Sequence, residues 1–228
     1  MNLLAIDAAA NLCAACVFDT GSARELGRAV HDIGTGHAER LIATIEEALR
    51  VSNTGYDALG CVAVATGPGS FTGVRVGVST ARGLALALKI PAVGVTTLEA
   101  IDAETRSAFP GRPTMVVIDA RRGECYATAH DELGRALYAP AVTGLEAAAD
   151  LARKYEPVLA GSAAAMVAAA ALPLKLDIGS VSATADIGVY ARLASSRNWS
   201  GEKPKPVYLR EPDAKPQAGL ILPRAGSS

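Results

Sequence analysis

Hydrophobic and polar positions along this chain follow two rhythms. Short apolar runs bounded by turn residues read as buried strands, and three-and-four spacing reads as helix. Residues 3–7 form the first run, closed by an acid, with a turn at 8–11 and a second strand at 12–18. Residues 25–30 give a third strand after Thr20-Gly21-Ser22. A helix is expected over 37–51, with apolar positions at Leu41, Ile42, Ile45, Ala48 and Leu49. The pattern then predicts a strand at 59–65, a glycine-rich turn, a helix at 76–88, a strand at 91–95 and a helix at 98–107. After Phe109-Pro110-Gly111-Arg112-Pro113, the best linker in the chain, it predicts strands up to His130. Helices follow at 145–154, 163–171 and 184–198, with short strands at 157–160 and 174–178. Residues 211–228 are proline-bearing, end in Gly-Ser-Ser, and are expected to be poorly ordered.

The opening pattern returns after the linker. Ile6-Asp7-Ala8, Cys13, Ala15 and Asp19 recur as Ile118-Asp119-Ala120, Cys125, Ala127 and Asp131, at a constant offset of 112. Six of fourteen positions are identical, and both aspartates end an apolar run. An internal duplication accounts for this. It divides the chain into an N-terminal unit, 1–108, a C-terminal unit, 109–210, and a tail.

The least ordinary stretch is Gly67-Pro68-Gly69-Ser70-Phe71-Thr72-Gly73-Val74-Arg75. It lies between a strand and a helix, and Ser70 or Thr72 is placed to cap that helix. Two readings are open: an anion-binding turn using backbone N–H groups and the helix dipole, or a tight turn with structural glycines. The spacing matches neither a P-loop nor a G-x-G-x-x-G dinucleotide fingerprint. In the helix that follows, Gly73, Gly77 and Ala81 lie at i, i+4 and i+8, which calls for close approach by another element, inside the domain or from a partner.

Half of the 228 residues are hydrophobic, enough for a sizeable core. The net charge of −1 rules out a global basic field, so any RNA contact is local or made through a partner. No apolar run reaches 18 residues and the N-terminus lacks a basic leader, so neither a membrane span nor a signal peptide is expected. Cys13 and Cys16 form a C-x-x-C, but residues three apart on a strand point to opposite faces. With no second pair and no neighbouring His, the four cysteines read as buried thiols of a reduced, cytoplasmic protein.

Candidate chemistry is sparse. Asp7 and Asp119 each end a strand facing a turn, where an acid either caps its own turn or holds a metal-bound nucleotide. His37 opens a helix but has Leu41 one turn on, where a metal-binding helix would carry a second donor, so it reads as a helix-start or surface histidine. His31 and His130 have no recognisable partners, and spacing assembles no Ser/His/Asp or Cys/His set.

Several of these pieces together resemble one family. They are Ile6-Asp7, His37-x-x-x-Leu41, the Gly67–Arg75 stretch, Thr96-Thr97-Leu98-Glu99, Ile118-Asp119-Ala120-Arg121-x-Gly123-Glu124 and Pro206-Val207-Tyr208-Leu209-Arg210, in order along the chain. The chain resembles the TsaB (YeaZ) family, partner subunits in bacterial threonylcarbamoyl-adenosine synthesis on tRNA. The resemblance implies an α/β protein with an actin-like or sugar-kinase-like ATPase fold of two RNase-H-like halves. It implies a non-catalytic, dimerising subunit that binds no cofactor strongly by itself. ATP and a metal would be used by the complex through its partners: a TsaD-like catalytic subunit, whose metal sits on a His-x-x-x-His helix, and a TsaE-like ATPase. Contact with tRNA would be made only through that complex, and alone the chain would form a homodimer. The implied partner surface is the N-terminal half with the helix after the glycine-rich turn: Gly69, Ser70, Phe71, Thr72, Gly73, Val74, Arg75, Gly77, Val78 and Ala81. Asp7, His37 and Asp119 would be vestiges of a metal or nucleotide site, with no catalytic residue and no metal here. Where the family often has Thr after the first Asp, this chain has Ala8, which removes a hydroxyl from any phosphate turn. Two other functions compete: an ATPase or phosphotransferase using Asp7, Asp119 and the turn, and a glycoprotease-like metallopeptidase.

Overall fold

The computed structural model describes residues 1–199 and 202–210; the expected disorder at 211–228 falls outside them. Three strands, β1 (Asn2–Asp7), β2 (Leu12–Asp19) and β3 (Arg24–Asp32), form an antiparallel meander. Helix α1 (His37–Val51) leads to β4 (Leu59–Ala65), parallel to β1, and α2 (Phe71–Leu88) leads to β5 (Ala92–Val95), parallel to β4. The sheet order is β3-β2-β1-β4-β5. Helix α3 (Thr97–Ala108) then carries the chain to a second sheet. There β6 (Thr114–Arg121), β7 (Glu124–His130) and β8 (Ala136–Gly144) repeat the meander, α4 (Leu145–Tyr155) crosses over, and β9 (Val158–Ala160) returns parallel to β6. The order β8-β7-β6-β9 is that of the first sheet without its last strand. The short α5 (Ala164–Ala170) and α6 (Ile187–Ser195) complete the described elements.

The C-x-x-C shows how the first sheet is covered. Cys13 Sγ lies 3.5 Å from Thr44 Oγ1 on α1, and Cys16 Sγ donates to the Ile187 carbonyl of α6. The two side chains point to opposite faces, so α1 and α6 sandwich the sheet. All four cysteines are free and buried, and burial pushes the Cys61 thiol up to about 12 and Cys125 to about 11. In β6 the alternation is equally clear. Met115 and Val117 join the small core under α4 and α5, whereas Val116 and Ile118 join the main core.

Helix α6 departs from the division at residue 109. It lies in sequence within 109–210 but packs on the first sheet, burying Ile187, Val189, Tyr190, Ala191 and Ala194 in the main core. That sheet needs cover on its second face, and the returning helix packs across β1, β2, β4 and β5 there. Asp186 caps α6 by accepting from Gly188 N and also receives Arg28 from β3.

Three sequence expectations move. Strand β8 was not expected: it is an edge strand with mostly exposed or half-buried side chains and Pro140 inside it, so it shows no clean alternation. Residues 174–178 make only a single bridge, Leu159 to Ile178, instead of a strand. Helix α2 starts five residues before position 76, because Ser70 accepts from Gly73 N and caps it there.

Candidate functional site

The chemistry-bearing pieces gather where the two halves meet. The β1–β2 turn, the glycine-rich turn and the β6–β7 turn surround a cleft of about 660 Å³, lined among others by Asn11, Ser70, Phe71, Asp119, Arg121 and Ser162.

The glycines of the turn serve the chain's own backbone. A Cβ at Gly73 would lie under 3.0 Å from the Ala8 carbonyl oxygen, and one at Gly69 equally close to the Ala9 carbonyl. Ser70 N donates to Ala9 O at 2.6 Å. The N-terminus of α2 thus faces carbonyl oxygens of the β1–β2 turn, a partial negative charge where an anion-binding turn presents donors. The structural reading of these glycines holds.

Asp7 is sealed, at 1% exposure. Its Oδ1 accepts from Ala9 N at 2.8 Å and its Oδ2 from Thr184 Oγ1 at 2.5 Å, and Thr184 Oγ1 lies 2.7 Å from Tyr190 OH. Asp119 does the same locally, accepting from Arg121 N at 2.7 Å while its own N–H donates to Ser162 Oγ. Each acid therefore caps its own turn. His37 is buried, not on the surface; its Nε2 meets the Leu12 carbonyl at 3.1 Å, and Leu41 is core. Among the described residues no three His, Cys, Asp or Glu side chains converge as metal ligands, so this donor set does not fit a metal.

Burial pushes the Asp7 carboxyl above its ordinary 3.8, against the lowering pull of Thr184, Ala9 and His37. The folded state binds that proton more tightly than the unfolded chain. The contribution of Asp7 to stability is therefore fullest below pH 3.8 and declines as pH rises through the raised folded value. Asp7→Asn should match or exceed the parent in thermal midpoint at pH 7, since its Oδ1 can still accept from Ala9 N and its amide can donate to Thr184 Oγ1. Asp7→Ala orphans the Ala9 N–H and leaves the Thr184 hydroxyl with Tyr190 OH alone, and should lose about 1–3 kcal/mol for the N–H left unpaired. Thermal unfolding from pH 4 to 8 checks both, and a large loss in Asp7→Asn would show that the charge itself is required.

The outcome for the ten proposed partner residues is divided. Gly73, Val74, Gly77, Val78 and Ala81 are buried against the chain's own sheet, and a Cβ at Gly77 would touch Val64 and Ala8. These five are core, not surface, because the small-residue stripe admits α2 close to β1 and β4. Gly69, Ser70, Phe71, Thr72 and Arg75 are exposed. The guanidinium of Arg75 lies 3.6 Å from the Phe71 ring centroid, and its Nε donates to Tyr208 OH at 2.7 Å. Val207 N donates to Thr66 O, and Arg210 pairs with Glu124 at the start of β7. The 206–210 segment thus ties the glycine-rich turn to the second half. Sequence reading missed the rest of the outward face of α2: Ser79, Arg82, Gly83 and Leu86. The polar positions 72, 75, 79 and 82, three and four apart, were its signal.

A family model described as TsaD, tRNA N6-adenosine threonylcarbamoyltransferase, matches residues 32–193. The tRNA threonylcarbamoyladenosine biosynthesis protein TsaB of Escherichia coli is 32% identical over 126 residues, 55% of this chain and 53% of that protein. The chain belongs to the TsaB (YeaZ) family. An uncharacterized protein of Mycobacterium tuberculosis is 36% identical over 219 residues, 95% of each chain. The match thus spans about half the length of the Escherichia coli TsaB, but nearly all of the mycobacterial relative. YeaZ from Pseudomonas aeruginosa superposes with a TM-score of 0.70 at 24% identity, covering 85% of this chain and 90% of that one. A second Pseudomonas aeruginosa crystal structure, of an uncharacterized protein with similarity to peptidase YeaZ, gives 0.76 at 24% identity over 92% and 99%. In this TsaB-family chain the meander-plus-parallel-strand order occurs twice, once in each sheet, and the fold is that of the two Pseudomonas aeruginosa structures. The Gly67–Arg75 and Pro206–Arg210 motifs meet at the Phe71–Arg75–Tyr208 cluster.

Proposed function

We propose that this chain is a non-catalytic subunit in threonylcarbamoyl-adenosine formation on tRNA, docking a TsaD-like catalytic subunit on the outward face of α2, with a TsaE-like ATPase joining them. The observation that carries this reading is the division of labour on α2. One face is spent on the sheet, while Thr72, Val76, Ser79 and Gly83 run along the other at i, i+4, i+7 and i+11. A glycine inside a helix costs about 1 kcal/mol relative to alanine. At Gly77 the chain's own close packing offsets that loss, but Gly83 has nothing within 4 Å. Close approach by another molecule supplies the missing compensation. Names of relatives support the pathway: tRNA threonylcarbamoyladenosine biosynthesis for the Escherichia coli and Haemophilus influenzae proteins. The internal commitment of Asp7 and His37 supports the non-catalytic role and weighs against the ATPase and metallopeptidase readings. Alone, the same face would pair with a second copy. No described helix is long and apolar enough to cross a membrane.

Reconstitution tests it. The chain, its TsaD-like and TsaE-like partners, threonylcarbamoyl-adenylate and tRNA should give modified tRNA, and omitting the chain should abolish the product. Undiminished product without it, or steady ATP turnover by the chain alone, would overturn the proposal.

A further inference from the structure

A second pocket, of about 330 Å³, lies at the far end of α2 from the cleft. Arg82 from α2, Lys89 and Ile90 from the turn into β5, and Trp199 and Lys203 from the chain after α6 all line it, with Leu86 at 76% exposure beside them. Its charges are one-sided. Among the described residues none of the three cations has a carboxylate partner, whereas Lys205 nearby is paired with Glu202. Nor are they needed to cap the helix. Ile90 N donates to Ala85 O and Lys89 N to Leu86 O, so backbone groups satisfy those end carbonyls. Three unpaired cations around one pocket repel one another, and a bound anion would relieve that repulsion.

The pocket also offers a fixed flat surface. Trp199 donates its indole N–H to Ala194 O at 2.8 Å, which holds the ring in place and leaves its apolar surface as what it can offer a ligand. Leu86 and Ile90 extend that surface. Cations beside an aromatic platform are the pair of features that holds one unit of a nucleic-acid strand, the phosphate by charge and the base by stacking. The volume is at the small end of ligand sites and suits a single unit better than a dinucleotide cofactor.

We propose that this pocket binds one nucleotide of a single-stranded RNA segment, with the base against Trp199 and Leu86 and the phosphate among Arg82, Lys89 and Lys203. The choice of RNA over a free nucleotide rests on the tRNA role proposed above; the base-and-phosphate chemistry does not. This is a local contact, as a chain of net charge −1 requires.

Trp199 is the chain's only tryptophan, so its fluorescence reports this pocket alone. Titrating the full chain with a six-residue oligoadenylate at low salt should quench that emission. The affinity, followed by anisotropy of a labelled oligomer, should fall with salt at a log–log slope of about −0.7 for the one phosphate held. Lys89→Gln with Lys203→Gln should weaken binding at least tenfold and flatten that slope. Trp199→Leu should weaken it about tenfold at unchanged slope. Adenosine monophosphate binding as tightly as the oligomer would overturn the assignment to RNA. An acidic peptide displacing the oligomer at equal concentration would do so too, as would an absence of quenching at millimolar oligomer. In the reconstituted complex, the double lysine variant should raise KM for tRNA at unchanged kcat, while its affinity for the catalytic subunit stays at the parent value. Normal partner binding with an unaltered KM sinks the pocket alone. Quenching by the oligomer in a chain that binds no partner sinks the scaffold reading alone.

Discussion

Gly73→Ala will lower the thermal midpoint of this protein by roughly 6–12 °C. The added methyl would meet the Ala8 carbonyl at under 3.0 Å. That oxygen belongs to the backbone of the β1–β2 turn, not to the end of a flexible side chain. The turn is held from both sides, because Asp7 caps it through Ala9 N and Ser70 N bonds Ala9 O. Neither half can move without breaking a buried hydrogen bond. Overpacking costs about 1–3 kcal/mol where side chains can shift; here the upper end applies, and for a domain of this size each kcal/mol is worth roughly 2–4 °C. Gly83→Ala is the control. It sits in the same helix with open space around the new methyl, so helix propensity alone acts and should add up to about 1 kcal/mol of stability. Calorimetry of the two variants separates them by sign. Equal behaviour would mean that the Ala8 turn yields freely and that the glycine at 73 has no packing reason.

How much of this was legible in the sequence follows from which forces are local. Helix α1 and strand β4 fall at their expected bounds because each carries a strong periodic pattern between turn residues. The opposed faces of Cys13 and Cys16 followed from strand geometry alone. The duplication was visible as the 112-residue offset, but the hairpins it predicts differ in closure: Ile6 faces Ala15, whereas Ile118 faces Tyr126, one residue tighter. The tighter turn places Arg121, Arg122 and Gly123 all at positive φ, a backbone detail that an identity count does not carry. Strand β8 was hidden because an edge strand has weak alternation. The return of α6 to the first sheet was hidden because that contact spans more than 150 residues and leaves no local signature. The glycine stripe of α2 was legible as a demand for close approach. Its direction was not, since Gly77 looks the same whether its neighbour is Val64 of the same chain or a side chain of another.

Ser79→Glu should cost the protein its partner and nothing else. Ser79 lies on the exposed face of α2, about half a turn away from the buried Gly77–Ala81 stripe. A glutamate there stands four residues after Arg75 and three before Arg82, so ion pairing along the helix should add at most about 0.5 kcal/mol. Exposed substitutions of this kind otherwise stay within about 0.5 kcal/mol, and the thermal midpoint should move by no more than about 2 °C. At a helix–helix contact the outcome differs. The longer side chain holds the two backbones apart, and its carboxylate is stripped of water in the middle of the interface. Disrupting an interface centre in this way costs about 2 kcal/mol or more, at least a thirtyfold loss of affinity for the TsaD-like subunit. Modification of tRNA should fall with it and recover when the partner is raised in concentration by the same factor. Gly77→Leu makes the complementary case. Because Gly77 faces Val64 and Ala8, leucine there overpacks the core by about 1–3 kcal/mol, and any loss of binding should track the fraction unfolded. Titration calorimetry alongside thermal unfolding reads both variants. Parent-like affinity in Ser79→Glu would place the partner on another surface, and the open space around Gly83 would then have no occupant to explain it.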